Sequence, residues 1–233
     1  MRHSEQLCGG FLSAMLIGFL AAPGMLGSVK DTRERLTLSA TVMGEIMKAP
    51  DKGIPDEMLQ AAHCVVVVPG LKKGAFIVSG QYGKGFVTCR RGPSWSSPAA
   101  IRIEGGGVGF QIGGSETDVV MLVMNARGAE RLMSSQFTLG GEGEVAAGPV
   151  GRHATAETDG KFTAEILSWS RSRGVFAGVA LKGATLRSDE DDNADLYGKK
   201  MSTKEVVDSS LPVPPAGRPL IRLLTRRSPT ETR

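Results

Sequence analysis

Cys64-Val65-Val66-Val67-Val68-Pro69-Gly70 opens the most informative stretch of this 233-residue sequence, which continues Leu71-Lys72-Lys73-Gly74-Ala75-Phe76-Ile77-Val78-Ser79-Gly80-Gln81-Tyr82-Gly83-Lys84-Gly85-Phe86-Val87-Thr88-Cys89-Arg90. An unbroken apolar, β-branched run stopped by Pro-Gly predicts a buried strand over 64–68. Residues 75–79 and 85–90 are β-rich and flank the glycine-bearing 80–84, which reads as a hairpin. Glycine persists beyond it: 22 of the 31 glycines fall between Gly70 and Gly183, about 19% of that window against a usual ~7%. No Gly-X-Y period accompanies them, and Val, Ile and Phe lie between them. That pattern predicts tight turns, bulges and strands that approach one another closely.

Helical patterns flank this region. Asp31 with Glu34 three residues on has the form of a capping box, and Leu36, Ala40, Met43 and Met47 then mark one apolar helix face through Lys48. Pro55, Asp56 and Glu57 start a second helix that ends near Ala62. Further strands are expected over 99–103, 118–125, 143–151, 162–171 and 175–187, with short helices over 127–134 and 189–197. From Pro212 the chain is rich in Pro and Arg and is expected to leave the domain. The sum is one α+β domain with a glycine-rich, mainly antiparallel sheet, open or closed into a barrel, flanked by short helices.

With 41% hydrophobic and 22% charged residues, the composition excludes a wholly disordered chain, a collagen and a multi-span membrane protein. The net charge of +4 is unevenly placed. Residues 29–211 hold 22 basic and 22 acidic residues, whereas 212–233 hold five arginines against Glu231. A neutral body with few aromatics gives no stacking platform or basic stripe, so no nucleic-acid partner is expected. Residues 1–28 read as an export signal: Arg2 and His3, an apolar stretch from Leu7 to Ala22, a Pro23-Gly24 break, then small residues at Gly27 and Ser28. An uncleaved anchor is the alternative. The expected location is exported, periplasmic or envelope-associated. Cys64 and Cys89 then remain, as buried thiols or as a bridge.

Catalytic and metal patterns fail on spacing. After Gly105-Gly106-Gly107-Val108-Gly109 comes Phe110-Gln111, which is neither the Lys-Ser/Thr of a phosphate loop nor a helix start with a distal acid. No Gly-x-Ser-x-Gly elbow occurs, and only His63 and His153 remain as bases. Glu142/Glu144 and the run Asp189-Glu190-Asp191-Asp192 read as solvated carboxylates, without the glycine and distal Glu of a calcium loop. With only His63 and His153 beyond residues 1–28 and no Cys-x-x-Cys, a zinc site is not expected. No cofactor is implied.

Several segments have no chemical reading of their own: Trp95-Ser96-Ser97-Pro98-Ala99, Gly148-Pro149-Val150-Gly151-Arg152, and the run from Ser168-Trp169-Ser170-Arg171 to Gly178. With Pro69 to Gly74, Tyr82 to Gly85, Val108 to Gly113 and Asn193 to Gly198, their order and spacing resemble the SYLF domain, also called the Ysc84-type or Las17-binding family. The resemblance covers about residues 33–205. It implies a non-enzymatic lipid-binding domain with affinity for phosphoinositides or other anionic phospholipids. In fungal members it implies actin and endocytic-patch partners, and for a member with an export signal, a bacterial envelope protein.

On that reading residues 29–211 form the lipid-binding domain and 212–233 a basic tail. The Leu36/Met43/Met47 helix face either enters the lipid interface, with Arg33, Arg35 and Lys48 meeting headgroups, or covers the sheet. Lys72, Lys73 and Lys84 lie beside glycine turns, where ammonium and backbone N–H groups can jointly hold a phosphate, or are simply solvated. The tail either folds at an anionic surface, is disordered, or docks through its leucines. The rival from another class is a structural or protein-interaction scaffold without a lipid role, its protein partner unknown.

Overall fold

In the computed structural model the described residues are 24–50, 53–75, 78–108, 113–140, 145–147, 165–172, 175–176, 181 and 183–229. A long helix α1 (Gly24–Lys48) and a short α2 (Asp56–Ala61) precede the first strands; α1 starts ahead of Asp31, so the expected helix start at Asp31 with Glu34 as its cap partner lies inside the helix. The strands are β1 (Cys64–Ala75), β2 (Val78–Arg91), β3 (Ser94–Trp95), β4 (Ala99–Val108), β5 (Gly113–Val123), β6 (Gln136–Thr138), β7 (Val145–Ala147), β8 (Ile166–Ser172), β9 (Val175–Phe176) and β10 (Thr185–Ser188). Helix α3 (Ala126–Leu132) follows β5, and α4 (Glu190–Tyr197), α5 (Thr203–Asp208) and α6 (Arg218–Arg227) close the chain. The main sheet runs β6-β10-β4-β2-β1-β5-β8-β7, with β3 on β2 and β9 on β8. Every pairing is antiparallel except β7 with β8. Among the described residues this path is open, not a barrel.

The Cys64–Val68 run is apolar throughout because both faces of the central strands are covered. Val65, Val67, Phe86, Val120, Leu122 and Trp169 meet Leu36, Met43 and Ile46 of α1, Leu59 of α2, and Leu220 and Leu224 of α6. Val66, Val68, Val87, Ile101, Ile103 and Met121 face the other way, toward Leu132, Phe137, Leu186 and Val206. The α1 face read in the sequence therefore covers the sheet, and its side chains are buried there, not available to a lipid interface. Cys64 and Cys89 are register partners across β1 and β2 and form a disulfide.

Pro69-Gly70 does not end the first strand. It forms a bulge between Val68 and Leu71, with Gly70 at φ +62° and its N–H donating to Asp118 Oδ1 at 3.0 Å. The strand then continues to Ala75 and pairs with β2 as far as Ala75↔Ser79, so 80–84 lies inside β2 and is not a turn. The bulge explains the glycines opposite. A Cβ on Gly85 would stand 2.2 Å from Val67 O, and one on Gly83 would stand 2.8 Å from Leu71 Cδ1. These glycines serve close approach. The same holds of Gly105, where a Cβ would stand 2.8 Å from Gln81 Nε2, and 105–107 lie within β4, opposite Gln81, Gly80 and Ser79, not in a turn.

The C-terminal segment, expected to leave the domain, packs onto it. A 3₁₀ turn (Pro215–Gly217) leads into α6, whose Leu220 and Leu224 are buried against α1 and α2. The N-terminal segment 1–23 and the motif 148–152 with His153 lie outside the described residues.

Candidate functional site

Two of the cations singled out in the sequence come together, but they point into the protein. Asp189 caps α4, its carboxylate accepting from the Asp192 N–H at 3.2 Å, which turns the first turn of that helix toward the sheet. Asp189 and Asp192 are only 2% and 3% exposed. The expectation of a solvated acidic run fails for these two residues. Lys84 Nζ from β2 lies 2.8 Å from Asp189 Oδ2 and 2.8 Å from Asp192 Oδ1, and Arg35 of α1 binds the second oxygen of Asp192. Burial alone favours loss of the Lys84 proton, but the two aspartates outweigh it and hold its pKa above the usual lysine value. Beside this cluster Asn193 is wholly buried, its Oδ1 accepting from Ala100 N–H at 2.7 Å and its Nδ2 donating to Met201 O at 2.8 Å. Tyr197 donates to Pro98 O at 2.6 Å, and burial pushes its phenol pKa well up. The cluster ties α1, β2 and α4 into one unit, with its charges paired internally.

The other lysines and arginines are scattered. Lys72 and Lys73 sit on β1 past the bulge, in strand and not beside a turn. Lys72 is exposed, with Tyr82 opposite on β2 and Glu116 opposite on β5; Lys73 is half-buried, and desolvation lowers its pKa. Arg33 and Lys48 are exposed on the outer side of α1, about 22 Å apart along its axis at 1.5 Å per residue. The structure thus assembles no single phosphate cradle from Arg33, Arg35, Lys48, Lys72, Lys73 and Lys84.

A second cationic surface is more regular. On α6 the apolar positions Leu220 and Leu224 point inward while Arg218, Arg222 and Arg226 recur every fourth residue on the exposed side. Among the described residues these three make no ion pair; Arg227 turns back to Asp56 at 3.4 Å. The helix is fixed at its C-terminal end by Arg90. That side chain donates to Leu59 O, Gln60 O and Ala62 O at the end of α2, and to Ser228 O at the end of α6. Its guanidinium also stacks on Trp95, 4.3 Å from the ring centroid. A cation placed among helix-terminal carbonyls is favourable for both helices.

A cavity of about 490 Å³ lies at the sheet end near the disulfide, lined by His63, Arg90, Arg91, Met133 and Asp208 among others. Its two sulfurs are joined, and Asp208 is paired with Lys204, so no nucleophile stands beside a base there. Among the described residues no group of three or more His, Cys, Asp or Glu can hold a metal ion. No helix among them is long and apolar enough to cross a membrane.

The comparisons with known proteins converge. Residues 104–227 match the family described as Ysc84, Las17-binding protein actin regulator, and this match takes in α6. Protein YSC84 of Saccharomyces cerevisiae is 35% identical over 188 residues, which is 78% of this chain and 40% of the relative. LAS seventeen-binding protein 3 of the same yeast is 34% identical over 183 residues, 76% of this chain and 39% of the relative. SH3 domain-containing YSC84-like protein 1 of Homo sapiens is 32% identical over 177 residues, 75% and 52%. The chain therefore spans about two fifths to half the length of these relatives. With a family match over more than half of its residues and this fold beneath it, the chain belongs to the Ysc84 family.

Proposed function

We propose that this domain is a non-enzymatic module that recognises anionic phospholipid surfaces, exported to the cell envelope through its N-terminal segment. The observation that carries the reading is how charge is distributed. The partly buried cations are matched by acids, Arg35 and Lys84 by Asp189 and Asp192 and Arg171 by Asp118 and Glu45, and the more exposed Arg131 is matched by Glu165. Exposed cations without an ion-pair partner among the described residues include Arg33 and Lys48 on α1 and Arg218, Arg222 and Arg226 on α6, two helices that pack side by side. Lys72, Arg127 and Lys199 are also exposed without such a partner, but on separate elements, whereas α1 and α6 bring five such cations onto two neighbouring helices. Basic charge gathered in that way is attracted to an anionic leaflet and released by salt. The relatives' names, which refer to Las17 binding and SH3 domains, favour a second reading in which this layer meets an acidic protein.

Flotation of the full chain separates the two. Vesicles of phosphatidylcholine with about a third phosphatidylglycerol are expected to carry the protein, and phosphatidylcholine alone to carry much less. Equal recovery with both lipids removes the anionic-phospholipid reading and leaves the protein-interaction one.

A further inference from the structure

Among the described side chains the two amphipathic helices leave no apolar face for lipid. On α1, Leu36, Val42, Met43 and Ile46 lie on the sheet, and on α6, Leu220 and Leu224 are buried against α1 and α2. Among the described residues the exposed large hydrophobics are Leu38 at 49% and Tyr82 at 48%. Leu38 stands alone on its helix, and Tyr82 is on β2, in a row with Lys72, Glu104 and Glu116. Neither makes a patch of the kind that inserts into a bilayer. What α6 presents outward is charge: three arginines over about 12 Å of helix, with no acidic residue in Arg218–Arg227.

We infer that α6 is the docking element, seating the domain on an anionic phospholipid surface through Arg218, Arg222 and Arg226 by electrostatic contact without apolar insertion. This rests on the anionic-phospholipid reading and specifies its contact. Leu220 and Leu224 on the core, the Arg90 clamp at the carbonyl end and the Arg227 pair with Asp56 hold the helix before any partner arrives. The arginines are therefore displayed in place, and no coil-to-helix transition opposes binding. Guanidinium groups suit phosphates because their planar fork can donate two parallel hydrogen bonds. No aromatic side chain occurs on α6, so it offers no platform for stacked bases. A headgroup layer, by contrast, offers negative charge wherever the row lands.

The test uses the full chain and the same phosphatidylglycerol vesicles, with phosphatidylcholine vesicles to subtract any contribution of the apolar N-terminal stretch. Each basic residue at such a surface contributes about fivefold, so R218Q/R222Q/R226Q is expected to lower the anionic-specific partition coefficient by about a hundredfold. R222Q alone is expected to lower it about fivefold. Because these side chains are exposed and unpaired, the melting temperature stays at the wild-type value. K199Q/K200Q, changing exposed lysines after α4, and L38S, removing the exposed leucine of α1, leave binding unchanged. A triple variant that binds like wild type overturns the inference while the phospholipid reading stands. Loss of binding in L38S comparable to that of the triple variant overturns it too, because it means insertion through α1. A wild-type chain that leaves the anionic vesicles unbound, including one that binds single-stranded DNA or polyglutamate through the row, ends both the inference and the reading it rests on.

Discussion

Replacing Lys84 with Met separates a structural lysine from a ligand-binding one. The change keeps the length of the side chain but leaves Asp189 and Asp192, side chains 3% and 5% exposed, with Arg35 as their remaining cation. Removing one partner of a buried pair costs about 3–5 kcal/mol, most of it from the charge left behind. Lys84 is itself a quarter exposed and Arg35 still meets Asp192, so the expected loss is the lower figure of about 2–3 kcal/mol. For a folded body of this size that lowers the melting temperature by about 4–12 °C. The pH dependence has a definite sign. The folded-state pKa of Lys84 is raised, so its stabilisation is complete below the unfolded pKa of about 10.4 and disappears as pH rises through the higher folded value. The gap between wild type and variant in urea unfolding is therefore flat from about pH 7 to 9.5 and narrows above about 10.4. A variant that unfolds like wild type at neutral pH, yet no longer binds anionic vesicles, would show that Lys84 faces a ligand and not the aspartates.

Three further outcomes follow from particular contacts. Gly85→Ala is expected to destabilise by at least about 2 kcal/mol, because its Cβ would strike Val67 O and Val68 Cα, whereas Gly74→Ala meets nothing within 4 Å and changes stability by less than about 0.5 kcal/mol; urea unfolding of the pair checks this. Truncation after Leu211 removes Leu220 and Leu224 from the core and strips Arg90 of its contact with Ser228, so the melting temperature falls; an unchanged value would mean that α6 does not dock in solution. Replacing Cys64 and Cys89 together by Ala frees a loop of 25 residues' separation and is expected to cost about 3.5 kcal/mol more in denaturant titration under oxidising than under reducing conditions, against an equal cost in both, from the two lost buried sulfurs alone, if the thiols are unpaired.

Much of this architecture can be read from residue order. The apolar run at Cys64, the spacing of Leu36, Met43 and Met47, and the Pro55-Asp56-Glu57 start each correspond to an element close to where it was expected. Where reading failed, a long-range contact outweighed a local signal. Pro69-Gly70 looks like a stop, but a bulge anchored to Asp118, 48 residues away, lets β1 run on. Gly83 and Gly85 look like turn residues, and their role appears only when Val67 and Leu71 are placed opposite them. Asp189 and Asp192 look solvated because nothing local announces that Lys84, more than a hundred residues earlier, will meet them. The short α5 carries its own local signal, since Ser202 and Glu205 form a capping box three residues apart. The arginine spacing on α6 was equally legible; which side its leucines would take was not, since that depends on a surface built by α1 and α2.

The central claim is that recognition is electrostatic and directed at anionic phospholipid. The most direct measurement is the partition coefficient of the full wild-type chain on phosphatidylglycerol-containing vesicles as salt rises from about 0.05 to 0.5 M, a range over which the screening length falls from roughly 14 to 4 Å. The account predicts a steep fall in that coefficient, down to the level seen with phosphatidylcholine alone. Binding that is independent of salt, or equal on the two lipids throughout, would contradict it.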